Sequence, residues 1–277
     1  MTQWWQLPPD GFVVGPCIGG RADRTRVFAA SDPSGAPCAL KTLAPAAGER
    51  AVDVARFTVE ADAHIAASGI PGIAKARAVS GAPGWLVIVW AHGGDMAAAA
   101  ERDAATRERI ASRADDVTLV VLMALEGLHA RGIAHRDIKP SNVLLDADST
   151  WLTDFGIAAR RRGDGWEALP APWRELGAGT GGWSAPELAR TPPAVTAASD
   201  IYAVAMLSEW MAKLAAAPSS AASPDTHSPH ARHDMRDVLL HRMRAPEPID
   251  RPTAAEARAS WLRIMSSRDA RGGYGTV

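Results

Sequence analysis

Cysteine is nearly absent from this chain: Cys17 and Cys38 are the only two, too few for a disulfide framework and best read as small buried or loop residues of a reduced compartment. Long apolar runs are missing too. The most extended, Trp85 to Ala91 and Ile201 to Leu207, fall far short of the roughly 18 residues that mark a spanning helix, so no membrane partner is expected. Charge of one sign is lacking: the net value is −1 at pH 7, which excludes a global field for nucleic acid and leaves any basic site local. The opening MTQWWQLPPDG has no basic segment followed by an apolar stretch, so no secretory signal is read and a cytoplasmic location is expected. Lysine is scarce as well. Lys41, Lys75, Lys139 and Lys213 are the only four, against 26 arginines among the 30 basic residues. A lysine in so arginine-rich a chain points to a place where a compact ammonium is needed and a planar guanidinium will not serve.

What is present is ordinary globular material. Hydrophobic residues make up 47% and charged residues 22% of 277 residues, enough for one large domain or two lobes with a real core. Up to about residue 92 the signals are strand-like: Phe12 to Val14, Arg26 to Ala30 and Cys38 to Leu43, with a DPSG turn at 32–35. A helical stretch follows from Glu49 to about Ala67, then a strand pair ending in WLVIVW at 85–90. From residue 93 helices dominate. Val117, Val120, Val121, Ala124, Leu125 and Leu128 form one apolar face of a helix that Gly132 can end. A second apolar helix is expected from Asp200 to about Ala217, stopped by Pro218, with short strands at 143–145 and 151–153 between the two helices. Residues 215–230 are low-complexity and read as a surface loop, and the histidines at 227, 230 and 233 need no metal to explain them.

The chemistry is concentrated in HRDIKPSNVLL at 135–145, followed by TDFG at 153–156. Phosphoryl transfer needs a carboxylate to orient the accepting hydroxyl, a cation near the transferred phosphate, and oxygen ligands for Mg²⁺. Asp137, Lys139, Asn142 and Asp154 supply that set. Here the chain resembles the eukaryotic-like (Hanks-type) bacterial serine/threonine protein kinases. The resemblance implies an α+β, bilobal protein-kinase-like fold: a small antiparallel β lobe with one helix over residues 1–92, a larger mainly α-helical lobe over 93–268, and a short tail at 269–277. It implies ATP with Mg²⁺ or Mn²⁺, and protein substrates bearing Ser/Thr hydroxyls.

By the same resemblance Asp137 is the expected catalytic base, Lys139 the γ-phosphate contact, and Asn142 and Asp154 the metal ligands. Lys41, in CALK at 38–41, is expected to hold the α- and β-phosphates, oriented by Glu60; a solvated helix-face carboxylate is the plainer reading of Glu60. Ile88 falls at the gatekeeper position and Val89 to Ala91 at the adenine edge; Leu144 is assigned to nucleotide binding, and Asp95 to either a ribose contact or a plain surface acid. GTGGWSAPEL at 179–188 resembles the end of the activation segment, with Trp183 where tyrosine is usual. Asp200 is expected to brace the catalytic-loop backbone and Arg251 to pair with Glu187. The resemblance runs from about residue 12 to 263.

Three departures stand out. The phosphate-covering loop, Gly20 to Thr25, keeps only Gly20 of the three usual glycines, with Ala22 and Thr25 in place of the others. Arg136 usually accompanies a phosphorylated activation segment, yet no Ser, Thr or Tyr lies between Gly156 and Gly179. Glu167 or Glu175 is expected to replace the phosphate, or Trp166 and Trp173 to hold the segment. Third, low-complexity sequence stands after the Asp200 helix where the family commonly has a docking helix. Alternatives are a pseudokinase scaffold, suggested by the eroded glycine loop, and a small-molecule phosphotransferase, which generally lacks the Ala-Pro-Glu segment and Arg251.

Overall fold

The computed structural model describes residues 8–21, 24–48, 50–79, 84–163, 165–168, 181–190, 195–215 and 235–272. Glu175 and the histidines at 227, 230 and 233 lie outside these residues, as does Trp173.

A five-stranded antiparallel sheet in the order β1-β2-β3-β5-β4 opens the chain. Its strands are β1 (Val13–Arg21), β2 (Thr25–Ser31), β3 (Pro37–Leu43), β4 (Ala76–Val79) and β5 (Trp85–Val89). The period of two decides which side chains meet the cleft. On β3, Cys38 and Leu40 pack outward with Trp85 and Val87 of β5, against Phe12, Val14 and Phe28. The alternate residues Ala39, Lys41 and Leu43 therefore face the cavity.

Behind the sheet a short helix α1 (Pro45–Gly48) leads into α2 (Ala51–Ala67). Asp53, Phe57, Glu60, Ala63, His64 and Ala67 are its buried residues, spaced three, four and seven apart on one face. A carboxylate within that apolar face requires a partner, which rules out the solvated-surface reading of Glu60. Glu60 is only 4% exposed.

The second half is mainly helical. It contains α3 (Met96–Arg102), α4 (Ala104–Ser112), α5 (Ala114–Ala130), α6 (Ala198–Ala215), α7 (Met235–Met243) and α8 (Ala254–Gly272). The expected face of α5 is buried through Val117, Val121, Ala124, Leu125 and Leu128, and Gly132 follows the helix at φ +67. Helix α6 buries Ile201, Val204, Ala205, Leu207, Ser208 and Met211, so it runs through the interior rather than over it. Asp95 and Asp103 accept hydrogen bonds from Ala98 and Thr106 and so start α3 and α4. Thr253 and Glu256 exchange a reciprocal pair of bonds at the start of α8. Arginine and carboxylate anchor the base of this half: Arg251 grips Glu187 at 2.7 and 2.8 Å, both side chains 0% exposed.

Two short sheets lie where the halves meet. One joins β6 (Gly94–Asp95), β8 (Val143–Asp146) and β9 (Ser149–Leu152). The other joins β7 (Ile133–Ala134), β10 (Ala159–Arg162) and β11 (Gly165–Ala168). Together they hold residues 135–142 and 153–156 at the floor of the cleft.

Candidate active site

The floor of the cleft is fixed by α6. Asp200, fully buried at the start of that helix, accepts the backbone N–H of His135 at 2.9 Å and of Arg136 at 2.7 Å. Its Oδ2 also accepts from His129 Nε2 at 2.9 Å, a partner that the motif alone does not reveal. Burial would raise this carboxyl, but His129, His135 and the Arg136 N–H reverse the effect and hold it below the ordinary carboxylate range. The reward is a strained loop held in place: Arg136 sits at φ +69 and Asp154 at φ +67.

His135 links the two motifs. Its Nε2 donates to the Thr153 carbonyl at 3.1 Å and its Nδ1 accepts the Asp137 N–H at 3.3 Å, a pattern that the neutral Nε2-protonated ring satisfies. Phe155 packs between two imidazoles, with ring centroids 4.9 Å from His135 and 4.9 Å from His64. His64 was not singled out by sequence reasoning. It is fully buried, donates from Nε2 to the Ala74 carbonyl at 2.9 Å, and its Nδ1 has no partner among the described residues. Burial pushes its pKa down to about 4.

Asn142 and Lys139 converge on Asp137. Asn142 Nδ2 donates to the Asp137 carbonyl at 2.7 Å and to its Oδ2 at 2.9 Å; Lys139 Nζ lies 2.7 Å from the same Oδ2. The Asn142 amide is thus oriented with its Nδ2 spent on Asp137, which leaves the carbonyl end as the ligand end.

From the roof, Lys41 reaches down. It pairs with Glu60 and lies 3.2 Å from Asp154 Oδ1. Burial alone would lower this ammonium, but the Asp154 and Glu60 carboxylates raise it above its ordinary value. Asp154 is held well below the usual carboxylate range because Lys41 outweighs its burial. Glu60 is pushed up to about 7 by burial, in spite of Lys41. Arg56 Nε donates to the Gly156 carbonyl at 3.1 Å, tying α2 to the same turn. Helix α2 therefore sits against the cleft, a position that sequence could not give.

The cavity between roof and floor measures about 520 Å³, in the range of small-molecule sites. Ile18, Val27, Ala39 and Leu144 give it apolar walls, while Lys41, Asn142 and Asp154 face it from one end. Ile88, Val89, Ala91, Asp95 and Gly20 also line it; Lys139, expected at the γ-phosphate, does not, and its Nζ lies beside Asp137 instead. Asp95, however, spends Oδ1 on capping α3 at 2.9 Å. Gly20 has φ +94, and a Cβ there would strike the Thr25 carbonyl across the hairpin. Its glycine is required by the close approach of β1 and β2 as well as by any phosphate.

Asn142 and Asp154 fit a divalent cation chemically: hard oxygen donors, with the Asp154 side chain 40% exposed on the cavity and ionised by its neighbours. Arg136 donates from Nη1 to the Ile157 carbonyl at 3.0 Å, so one of its donors turns to the backbone of the segment.

Comparison with known proteins agrees with this geometry. The serine/threonine-protein kinase AfsK of Streptomyces griseus is 31% identical over 186 residues, covering 64% of this chain and 21% of that protein. The serine/threonine-protein kinase drp72 of Corynebacterium efficiens is 30% identical over 176 residues, 61% of this chain and 32% of that protein. CBL-interacting protein kinase 4 of rice is 40% identical over 113 residues, 38% of this chain and 22% of that protein. The chain thus matches about a fifth to a third of the length of these relatives. The protein kinase domain family matches residues 20–262, and the chain belongs to that family.

Proposed function

We propose that this chain is a serine/threonine protein kinase that transfers the γ-phosphoryl group of ATP, with Mg²⁺ or Mn²⁺, to hydroxyls of protein substrates. One observation carries the reading: Lys41, paired with Glu60, and Asp154, 3.2 Å from Lys41 Nζ, face the same cavity as Asn142, whose amide holds Asp137. Lys41 for the phosphates, Asn142 and Asp154 for the metal, and Asp137 for the acceptor hydroxyl are thus gathered beside an apolar slot.

The roles follow from that placement. The apolar walls and the 88–91 edge take the adenine, Lys41 neutralises the α- and β-phosphates, and Asn142 with Asp154 holds the metal. The cation, when bound, neutralises charge on the triphosphate oxygens. Asp137 orients the acceptor O–H and takes its proton while the new O–P bond forms. The bond between the γ-phosphorus and the β–γ bridging oxygen breaks, and ADP leaves with that electron pair. Lys139, beside Asp137, balances the developing negative charge. The division at residue 92 into nucleotide and substrate lobes belongs to this proposal, and so does a cytoplasmic location, where ATP is at hand.

The test is transfer from labelled ATP with each metal to a protein substrate, followed by identification of the phosphoamino acid. Phosphoserine or phosphothreonine is expected, lost in Asp137→Asn and Asp154→Ala. ATP binding with no transfer would replace this reading by a nucleotide-binding scaffold; label appearing only on small hydroxyl compounds would make the chain a small-molecule phosphotransferase.

A further inference from the structure

A second concavity lies beside residues 139–141 of the catalytic loop, a groove of about 510 Å³. Ala97 and Ala100 of α3 form its floor, and Trp183, Trp210 and Leu214 form its walls. The two indoles are half-buried and meet edge to face, with ring centroids 6.3 Å apart and planes at 67°. The groove is joined to the chemistry at two points. Ser141 lines both this groove and the nucleotide cavity. Lys139 also lines the groove while its Nζ bonds Asp137 Oδ2.

A segment that presents a hydroxyl to Asp137 must therefore pass this opening. An extended chain advances about 3.3 Å per residue, so a side chain within about three residues of the acceptor reaches it. The walls decide what kind of side chain fits. Glu101 is the single carboxylate of the lining, and Lys139 contributes a positive charge. A guanidinium has five donors to satisfy and would find few acceptors among these side chains. A carboxylate would be desolvated against two indoles. Aromatic walls of this kind, half-buried around a small-residue floor, suit an apolar anchor.

We infer that the groove bounded by Trp183, Trp210 and Leu214 receives an apolar side chain of the protein substrate and so selects which serines and threonines are phosphorylated. The inference rests on the kinase reading above and deepens it. The shared lining at Ser141 and Lys139 is the ground for naming the substrate as occupant.

The full chain, with Mg²⁺ and ATP, is offered peptide arrays in which each position around a fixed Ser or Thr is varied. At one position within about three residues of the acceptor, Leu, Met or Phe should exceed Asp and Lys by about tenfold or more in kcat/KM. Trp210→Glu should collapse that ratio. Leu214→Glu, at the last turn of α6, should lower it too and covers the case in which the tryptophan variant fails to fold. Transfer that proceeds with no apolar preference at any position overturns this inference and leaves the kinase reading standing. A preference unchanged in both variants also overturns it. So does one that emerges only when residues 216–234 are replaced by a Gly/Ser linker, because the chain's own segment would then be the occupant. No transfer to any peptide or protein overturns both.

Discussion

The roof and the floor of the cleft are built on different principles. On the roof, β1 is largely exposed, with Val13 at 71% and Ile18 at 51%, and its pairing to β2 slips between Val14 and Gly19. The roof's chemical group, Lys41, is positioned by carboxylates borrowed from α2 and from residue 154. On the floor, Asp137, Asn142, His135 and Asp200 form a network of buried and part-buried hydrogen bonds to backbone and to one another. The floor is preorganised by its own fold, whereas the roof is completed only when α2 sits in place. Changes in the floor should therefore reduce kcat or stability; in the roof, changes in the β1–β2 hairpin should fall first on nucleotide binding, and loss of the Lys41 charge on the chemical step.

The largest expected effect on stability is at the base of the floor half. Arg251→Ala leaves Glu187 buried without its ion-pair partner, keeping the Ser199 bond at 2.7 Å, and should cost about 3–5 kcal/mol in urea denaturation. The effect would be far smaller at the exposed pair Arg190–Glu247, which serves as the control. Next comes the roof: Lys41→Met should lower kcat about 10²–10³-fold, as loss of a preorganised charge does elsewhere, with the fold intact by circular dichroism.

A pH experiment sharpens the comparison at the point where roof helix meets floor. His64, of α2, has its pKa pushed down to about 4 by burial, below its ordinary 6.5. Between these values the unfolded chain binds the extra proton, so stability is complete above pH 6.5 and is lost as pH falls toward 4. Glu60, raised to about 7 by burial, acts with the opposite sign over part of the window. The difference between wild type and His64→Leu isolates the histidine. That difference should shift by about 2 kcal/mol against the wild type between pH 6.5 and 5, read from denaturation midpoints. The smallest effect belongs to the hairpin. Gly20→Ala, strained at φ +94 and blocked by Thr25, should raise the KM for ATP about three- to tenfold while changing kcat least.

Much of the floor was legible in sequence because its groups are close in the chain. Asp137, Lys139 and Asn142 lie within six residues and point to one another through a single turn, the three-residue 3₁₀ helix Pro140–Asn142. The strands and the two apolar helices were readable from period, and Gly132 marked the end of α5 as glycine does at φ +67. Other features depend on contacts that no local pattern encodes. His64 and Phe155 meet across 91 positions, and His129 finds Asp200 across 71. The Trp183–Trp210 wall brings a residue of α6 against one outside it. Asp95 shows a signal that could have been used: an acid before MAAAAER is a helix N-cap first. Helix α8 likewise announced its start through Thr253 and Glu256. Of the two acids offered for the activation segment, Glu175 lies outside the described residues and Glu167 is described only by the pairing of its backbone in β11 opposite Arg160, so neither is tested against Arg136, which turns one side-chain donor to Ile157.

The preorganised floor can be tested most directly by following one turnover. ATP binding and phosphoryl transfer are measured side by side on wild type and Asp137→Asn. The roof of both proteins is the same, so nucleotide affinity should agree within about threefold, while transfer should drop by about 10²–10⁴ in the variant. An Asp137→Asn protein that transfers phosphate at the wild-type rate would contradict the assignment of the floor, and with it the account of how this cleft works.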